Sequence, residues 1–337
     1  MKVTTISIDL AKAVFQVCGT NQAGAEVFNR QVRRNKLLET VMQFPDAEVV
    51  MEACSGSNYW GRLFIKHGLT VKLIPPQHVK PFVRGNKNDR NDAFAISEAS
   101  RRPNLTFTQP RSVAATDMAV LHRIRDRRQG SLTRLTNQIR GLLNEYGIVI
   151  PQGIEHLRRR IPLILEDADN ELSQLMRSEL HSLFDEWCMM ESLIKQHDRA
   201  IEQFARADEQ TTLLMTARGI GSITATALMS VMGSPANYKN GRHFASSLGL
   251  TPSEHSSGGK QKLGRITKRG NRYVRKLLVQ CAMSHVRHLE GRTDNLSLWL
   301  KRLKERRGVQ VAAIALANKL ARISWAMLHK QQEFKLN

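Results

Sequence analysis

The sequence predicts an α/β region over residues 1–110, a helical region over 111–210 and an all-α region over 211–330. Short β-rich runs alternate with amphipathic segments through the first hundred residues. Apolar residues then recur at helical spacing from residue 112 to about residue 207, and again from residue 213 onward. A chain of 337 residues is long enough for two or three domains.

Five strands and three helices are expected in the α/β region. The strands are predicted at residues 3–9, 13–19, 25–32, 47–53 and 70–75. The helices are predicted at residues 35–44, at 58–67, and from the polar segment 84–92 to about residue 101. Residues 21–24 form a turn, so the first three strands are most simply antiparallel. The order β-β-β-α-β-α-β-α is that of a ribonuclease-H-type fold.

Two helical blocks make up the predicted middle region. The first is basic and ends before Pro151. The second combines an acidic excess with imperfect apolar heptads, which is typical of a coiled-coil-like helical arm, antiparallel or between subunits. Further on, a loop is expected at 253–269, and helices are predicted at 213–217, 223–232, 241–248, 271–289 and 309–328. The Gly219-Ile220-Gly221 connector is similar to half of a phosphate-binding helix-hairpin-helix, although such connectors occur in many folds.

The net charge of +21 is distributed unevenly along the chain. Residues 1–100 carry +4, 101–160 carry +8, 161–210 carry −8 and 211–337 carry +17. Basic segments of this kind typically contact a polyanion such as nucleic acid, although solvated basic helix faces give the same pattern. The four tryptophans lie in apolar periodic contexts and are expected in the core, so no aromatic platform for single strands is predicted.

Composition argues against several classes of protein. The four cysteines are far apart, with no C-x-x-C pair and no Cys/His cluster at zinc spacing, which argues against disulfides and structural zinc. Polar residues interrupt the first apolar stretch, so no secretory segment is expected. The late apolar run at 311–317 is shorter than the about 20 residues that cross a bilayer. A reduced, cytoplasmic protein without a membrane role is therefore expected.

Four carboxylates are candidates for binding a divalent ion. Asp9 ends the first predicted strand and Glu52 ends the fourth, and these two strands are neighbours in a ribonuclease-H-type sheet. Asp89 and Asp92, spaced i and i+3, project from one face of a helix start. Because Mg²⁺ prefers oxygen ligands and stabilises the charge that develops in phosphoryl transfer, one or two Mg²⁺ ions are predicted here. Each acid also has a structural explanation, as a helix cap, a paired strand end or a turn former.

A glycine-rich loop provides a candidate nucleophile. Ser257 directly precedes Gly258 and Gly259 and is the preferred choice, with Ser256 second. His255 is a candidate proton acceptor. From composition alone, serines in such a loop are more often explained by solvation, and the histidine beside them is also explained as a surface residue.

Basic residues surround this loop and line the long basic helix. They are expected to hold phosphates of nucleic acid and to stabilise charge in a transition state. Those that follow the serine are Lys260, Lys262, Arg265, Lys268, Arg269, Arg272, Arg275 and Lys276. Those on the helix are Arg123, Arg127, Arg128, Arg134 and Arg140.

Taken together, these motifs resemble the DEDD-type transposases of bacterial insertion sequences. The most specific matches are I-D-L-A-K around Asp9, M-E-A-C-S-G around Glu52, and K-N-D-R-N-D-A around Asp89 and Asp92. Ser257, followed by glycine inside the basic loop, completes the pattern, and P-P-Q-H-V-K-P-F at 75–82 is similar to one large subgroup. The resemblance covers nearly the whole chain.

The resemblance implies a RuvC-like domain followed by a C-terminal transposase domain. It implies site-specific recombination of double-stranded DNA, with Mg²⁺ held by the four acids and a phosphoserine link formed at Ser257. It further implies a non-coding bridge RNA that pairs with donor and target DNA. The active form would be a homo-oligomer, a dimer of dimers or tetramer, whose sites combine domains of different subunits, and the acidic arm would be a subunit contact.

Two other functions fit part of the sequence. A metal-dependent nuclease or junction resolvase would keep the four acids and use water as its nucleophile, which leaves the serine loop without a role. A non-catalytic nucleic-acid scaffold would make the acids purely structural. The transposase hypothesis is preferred because it accounts for the acids and the serine loop together.

Overall fold

The computed structural model describes residues 2–86, 88–103, 105 and 107–335, so Lys87 of the predicted acidic motif lies outside the described residues. The chain divides into two compact units. The first comprises Met1–Thr116 with Met232–His243, and the second comprises Asp117–Val231 with Phe244–Asn337. The division into segments 1–110, 111–210 and 211–330 stays a prediction.

A five-stranded mixed sheet forms the centre of the first unit. Its strands are β1 (Thr5–Asp9), β2 (Val14–Thr20), β3 (Glu26–Arg33), β4 (Glu48–Glu52) and β5 (Val71–Ile74). The helices are α1 (Leu37–Met42), α2 (Ser57–Lys66), α3 (Pro76–Val79) and α4 (Asp89–Ser100). The strand order is β3-β2-β1-β4-β5, with β1 to β3 antiparallel and both β4 and β5 parallel to β1. The predicted mixed α/β region is confirmed, and the single-turn α3 is an addition to it.

Helices cover both faces of the sheet because its strand residues alternate between two apolar surfaces. Ile6 and Ile8 of β1 belong to a core cluster that includes Trp60 of α2. On the opposite face, Val50 of β4 belongs to a second cluster that includes Ile96 of α4. Because helices cover both faces, the three central residues of both β1 and β4 are buried, including the polar Ser7.

Three long helices follow the sheet. They are α5 (Val113–Asn144), α6 (Ile154–Glu166) and α7 (Gln174–Ala207). One apolar cluster joins them, and in it Trp187 is fully buried. The indole N–H of Trp187 donates a 2.9 Å hydrogen bond to the hydroxyl of Thr136, which satisfies its single buried polar group. The predicted helical character of this region is confirmed.

The remaining elements are mostly helical. They are α8 (Glu209–Met215), α9 (Ser222–Met232), α10 (Gly241–Ser247), β6 (Pro252–Glu254), β7 (Leu263–Ile266), α11 (Arg272–Arg287), α12 (Asn295–Arg307) and α13 (Val309–Lys330). The predicted loop at 253–269 contains the antiparallel pair β6 and β7, so this region is not all-α as predicted. Strands this short, with largely exposed side chains, leave no alternation of apolar residues for the sequence to reveal.

Helix α12 also lies where the sequence predicted no helix. Its last two turns are dominated by lysine and arginine, which hides any apolar periodicity. Asp294 caps its first turn, because its carboxylate accepts a 3.0 Å hydrogen bond from the backbone N–H of Ser297.

Helix α13 is the one described helix that is long and apolar enough to cross a membrane by length and composition. The prediction, which considered only the apolar run at 311–317, therefore underestimated the length of this apolar helix. Half of its apolar stretch is buried inside the protein, including Ala312, Leu316, Leu320 and Leu328. Core helices of folded domains meet the same length criterion, and α13 packs against α11 and α12.

Candidate active site

Two of the candidate acids lie side by side at one end of the sheet. Strands β1 and β4 pair in parallel, and their register places Ile8 opposite Met51. Asp9 and Glu52 come next in each strand, so both stand where the two strands end. Both side chains are half-buried. The adjacency that the ribonuclease-H-type order predicts for these two strands is confirmed.

Helix α4 brings the other two acids to the same end of the sheet. The hydroxyl of Thr20 hydrogen-bonds that of Ser97 at 2.8 Å, and the hydroxyl of Ser7 donates a 2.7 Å bond to the carbonyl of Ala93. Thr20 pairs with Thr5 in the sheet, so α4 runs antiparallel to β1, advancing one helical turn for each two strand residues. The next turn, which begins at Asp89, therefore lies level with the end of β1.

Asp89 and Asp92 occupy the first turn of α4 without capping it. The cap is Asn88, whose side chain accepts a 2.8 Å hydrogen bond from the backbone N–H of Asn91. Asp92 is half-buried and Asp89 is exposed. The explanation of either aspartate as a helix cap is therefore wrong, and both carboxylates remain available to a ligand at this end of the sheet.

The electrostatics of this region are reflected in a neighbouring thiol. Cys54 follows β4, and burial raises its pKa to about 11, with further contributions from the negative charges of Glu52 and Asp9. Because the charges of both carboxylates act on the same thiol, Asp9 and Glu52 lie near Cys54 and near each other. It also means that Cys54 is protonated at neutral pH and is a poor nucleophile there.

The chemistry of these donors fits a hard divalent cation, since all four candidates are carboxylates. Within the part of the chain that the structure describes, however, no group of three or more His, Cys, Asp or Glu side chains is arranged to hold a metal ion. The four acids thus share one end of the sheet without forming a complete ligand set. We name Asp9, Glu52, Asp89 and Asp92 the acidic edge.

The preferred serine lies at the tip of the hairpin formed by β6 and β7, here called the serine hairpin (residues 252–266). The N–H of Lys260 donates a 3.1 Å hydrogen bond to the carbonyl of Ser257, which closes a two-residue turn. Gly258 and Gly259 have φ values of 56° and 73°, as the tight hairpin turns that match strand twist require. All four residues of the turn are exposed.

Ser256 and Ser257 have different surroundings. The hydroxyl of Ser256 donates a 2.6 Å hydrogen bond to the carboxylate of Glu254 and accepts a 3.1 Å bond from the N–H of Lys262. For the hydroxyl of Ser257 the structure records no hydrogen bond among the residues that it describes. The N–H of His255 donates to the carbonyl of Lys262 at 3.0 Å, which leaves the histidine ring exposed at the side of the hairpin.

Close backbone packing holds the base of the serine hairpin. Gly249 and Gly270 have φ values of 69° and 87°, and a Cβ atom on Gly270 would lie 1.8 Å from the carbonyl oxygen of Ser247. The guanidinium of Arg275 donates to the carbonyls of Leu248 and Arg269 at 2.8 and 3.3 Å. Glu254 and Arg275 therefore position the hairpin, a role that no sequence motif indicated for them.

The predicted nucleic-acid-binding residues fall into two groups. Several are bound within the second unit: Lys276 pairs with Asp126, and the remaining internal contacts are made by Arg128, Arg134, Arg140 and Arg275. The others are exposed, with no ion pair recorded among the described residues: Arg123, Arg127, Lys260, Lys262, Arg265, Lys268, Arg269 and Arg272. The exposed group surrounds the serine hairpin and one stretch of α5.

Comparison with known proteins identifies relatives over nearly the whole chain. A family model described as "Transposase IS116/IS110/IS902 family" matches residues 211–296, and a DEDD model of the same group, described as "Transposase", matches residues 6–148. Together these two matches include the acidic edge and the serine hairpin.

Individual relatives agree with the family models. The chain is 40% identical to the transposase for insertion sequence element IS1111A of Coxiella burnetii, over 98% of the chain and 91% of that protein. It is 39% identical to a probable family 20 transposase of Pseudomonas aeruginosa, over 98% of both. A pilin gene-inverting protein of Moraxella bovis is 22% identical over 99% of the chain. The chain therefore belongs to the IS116/IS110/IS902 family of insertion-sequence transposases.

Proposed function

We propose that this transposase cleaves and rejoins double-stranded DNA through a covalent phosphoserine link at Ser257. One observation carries the proposal: of the two adjacent serines, Ser256 is held within the hairpin by Glu254 and Lys262, whereas Ser257 projects from a glycine turn among exposed cations. A hydroxyl in that position can reach a DNA backbone that the surrounding cations hold.

The acidic edge is the proposed site of a divalent ion, taken to be Mg²⁺. The residues that would hold it are Asp9, Glu52, Asp89 and Asp92, which share one end of the sheet. Bound there, the ion would supply Lewis-acid stabilisation of charge on the phosphate oxygens. The strand order and the placement of these acids also support the assignment of the first unit as a ribonuclease-H-like, RuvC-like fold.

Ser257 performs the nucleophilic step. Its Oγ forms a bond to the scissile phosphorus while the bond from phosphorus to one DNA oxygen breaks, and the released DNA strand end takes up a proton. His255, exposed beside it on the hairpin, is the proposed acceptor of the serine proton. Attack of a DNA hydroxyl on the phosphoserine reverses the step, joins the strands and frees the serine.

The exposed cations bind the phosphates without reading sequence. For this reason we assign sequence recognition to a bridge RNA that base-pairs with donor and target DNA, while the protein contacts the backbones. The cytoplasm, where DNA and RNA are both accessible, is the proposed location.

Assembly into a homo-oligomer, a dimer of dimers, completes the proposal. The acidic excess at residues 161–210 is poorly suited to DNA and well suited to a subunit contact, and Leu163, Leu175 and Met189 are exposed there. Deletion of residues 154–207 is expected to yield a smaller assembly when its mass is measured by light scattering. An unchanged number of subunits in the deleted protein would refute this role.

The test of the covalent mechanism uses the protein with its co-expressed RNA and cognate DNA. A denaturation-resistant protein–DNA adduct is expected with Mg²⁺, is lost in excess chelator, and is absent in Ser257→Ala. The Asp9→Asn variant is expected to lose the adduct as well. An adduct that persists in Ser257→Ala and disappears in Ser256→Ala would move the nucleophile by one residue.

The alternative function is a metal-dependent nuclease or junction resolvase that uses water. The acidic edge favours it as much as it favours the transposase. It predicts that Ser257→Ala still cleaves DNA and that the wild-type protein forms no adduct, so the same experiment separates the two functions.

A further inference from the structure

A surface pocket of about 700 Å³ opens in the first unit, away from the acids themselves. It lies where the β1–β2 connection, the end of β3 and the start of α2 come together. The residues that line it include Lys12, Val14, Arg33, Arg34, Tyr59 and Trp60. Neither the sequence motifs nor the proposed mechanism gives this pocket a role.

Two of the lining residues, Arg34 and Trp60, contact each other. The guanidinium of Arg34 lies over the ring of Trp60 at 5.3 Å and over that of Phe15 at 5.8 Å, and it donates a 3.3 Å hydrogen bond to the carbonyl of Lys12. Trp60 is only 5% exposed and packs edge-on against Phe15 at 5.4 Å. Arg34 is therefore fixed by aromatic and backbone contacts, while its exposed side faces the pocket.

One wall is an exposed aromatic ring. Tyr59 is 51% exposed, and its ring packs edge-on against Trp60 at 5.3 Å between centroids. The edge-on contact holds the ring, and about half of the side chain stays exposed to solvent. Val14, 41% exposed, adds an apolar surface to the same pocket. The prediction that Trp60 lies in the core is confirmed, and no role was predicted for the exposed Tyr59 beside it.

The pocket is strongly cationic. Lys12, Arg33 and Arg34 are all exposed, and no ion pair is recorded for any of the three in the described part of the chain. An exposed aromatic ring bordered by cations that have no recorded ion pair is a combination suited to an unpaired nucleotide, whose base stacks on the ring while its phosphates contact the charges.

The position of the pocket relates it to the acidic edge. Lys12 follows Asp9 in the β1–β2 connection, and Tyr59 lies in the first turn of the helix that follows Glu52. Pocket and acids therefore lie at the same end of the sheet, which is the basis for relating the pocket to a strand bound at the acids.

We propose that this pocket binds one unpaired nucleotide of a nucleic-acid strand, with its base stacked on Tyr59 and its flanking phosphates bound by Lys12, Arg33 and Arg34. The inference deepens the proposed function and rests on it, because it assumes a strand at the acidic edge. An unpaired nucleotide has two sources, the guide RNA and a DNA strand displaced by it, which share this chemistry.

The test measures binding of the full-length protein to short single strands of DNA and of RNA and to blunt duplex DNA, in chelator so that cleavage contributes nothing. Tyr59→Ala is expected to weaken single-strand binding at least about fivefold, and Tyr59→Phe to retain it. Tyr59→Leu, which keeps an apolar contact with Trp60, is expected to bind as weakly as Tyr59→Ala. Lys12→Ala is expected to make the salt dependence shallower by about 0.7 in log–log slope.

The matched control for Lys12→Ala is Lys66→Ala, which removes the same charge at the far end of α2. It is expected to bind single strands as the wild-type protein does. A larger loss on RNA assigns the pocket to the guide strand, and a larger loss on DNA assigns it to a displaced strand. Wild-type affinity in folded Tyr59→Leu, or an equal loss on blunt duplex, would overturn the proposal. Neither result bears on adduct formation at Ser257, which is measured separately.

Discussion

At the scale of single residues, Ser256 and Ser257 differ in what their hydroxyls contact. Ser256 bridges Glu254 and the N–H of Lys262 across the hairpin, which fixes the path of the chain just before the turn. Ser257, the next residue, begins the exposed turn. In the proposed mechanism the first serine is therefore assigned a positioning role, and the second is the nucleophile.

Replacing each serine separates these roles. Ser256→Ala is expected to slow adduct formation about ten- to a hundred-fold, because a looser hairpin misplaces the nucleophile without removing it. Ser257→Ala is expected to abolish the adduct, and Ser256→Thr, which keeps the hydroxyl, to restore most of the rate. Single-turnover kinetics of adduct formation measure the difference, and equal rates in Ser256→Ala and wild type would contradict the positioning role.

His122 is a buried polar residue in the second unit. Its ring nitrogens hydrogen-bond the hydroxyl of Tyr273 at 3.1 Å and that of Thr226 at 2.9 Å, so it joins α5, α9 and α11. Burial, with a smaller contribution from the positive charge of Arg125, lowers the pKa of His122 to about 4. The folded protein therefore keeps this ring neutral at pH values at which an unfolded chain would protonate it.

This shift makes stability depend on pH. Between pH 6.5 and about pH 4 the unfolded chain binds a proton at His122 that the folded protein does not, so the stabilisation is complete above pH 6.5 and is lost as the pH falls. The loss is about 3 kcal/mol. Urea unfolding at several pH values is expected to show that His122→Gln lacks this part of the pH dependence. Parallel pH profiles for the variant and wild type would contradict the assignment.

At the scale of elements, the serine hairpin depends on the close approach of two backbone segments. Gly270 has φ +87°, and any side chain there would collide with the carbonyl of Ser247. Gly221, in the connector before α9, has no positive φ, and a Cβ atom added to it would meet nothing within 4 Å. Replacing each glycine by alanine therefore compares a position where a Cβ atom collides with the backbone, Gly270, with one where it has space, Gly221.

Gly270→Ala is expected to destabilise the protein by at least about 1 kcal/mol, since the left-handed backbone alone costs that much for a residue with a Cβ. Because the hairpin base shifts, adduct formation is expected to fall with it. Gly221→Ala is the control and is expected to leave both properties near wild type. Thermal unfolding and the adduct assay check this, and a stable, fully active Gly270→Ala protein would show that the hairpin base is not fixed there.

The sheet could be predicted from the sequence because its signals are local. Strand β1 is rich in residues that favour strands, β4 has a central apolar run, and each ends at an acidic residue, Asp9 or Glu52. The strand order of a ribonuclease-H-type sheet then predicted that β1 and β4 are neighbours. The predicted bounds of the five strands differ from the observed ones by at most two residues, as fraying at element ends allows.

The serine hairpin and the pocket beside Tyr59 could not be predicted in the same way. The hairpin strands are exposed and held by backbone contacts distant in sequence, such as those of Gly249 and Arg275, which leave no periodic pattern. Tyr59 and Trp60 are adjacent residues in one amphipathic helix, and only the tertiary structure shows that Trp60 is buried and Tyr59 is exposed. Which cations remain unpaired is likewise decided by tertiary structure.

At the scale of the whole molecule, the net charge of +21 is expected to make the affinity for DNA strongly dependent on salt concentration. Each phosphate neutralised by a lysine or arginine releases counterions, so the logarithm of duplex affinity is expected to fall with the logarithm of salt concentration by about 0.9 per contact. Lys262→Ala and Arg265→Ala, both exposed on the serine hairpin, are each expected to make that slope shallower by about one.

The control for this prediction is Lys2→Ala, which removes the same charge from a lysine that pairs with Asp46 at 3.1 Å in the first unit. Its slope is expected to match that of wild type. Fluorescence anisotropy over a salt titration measures all three variants, and a Lys262→Ala slope equal to the control would exclude that lysine from the phosphate contacts.

The most direct measurement is the position of the Ser257 hydroxyl in a structure of the protein assembled with its DNA and RNA. The proposed mechanism requires that hydroxyl and the carboxylates of Asp9 and Glu52, from one subunit or from two, to surround a single backbone phosphate. A structure in which the phosphate bound by the acids lies far from every Ser257 of the assembly would contradict the mechanism.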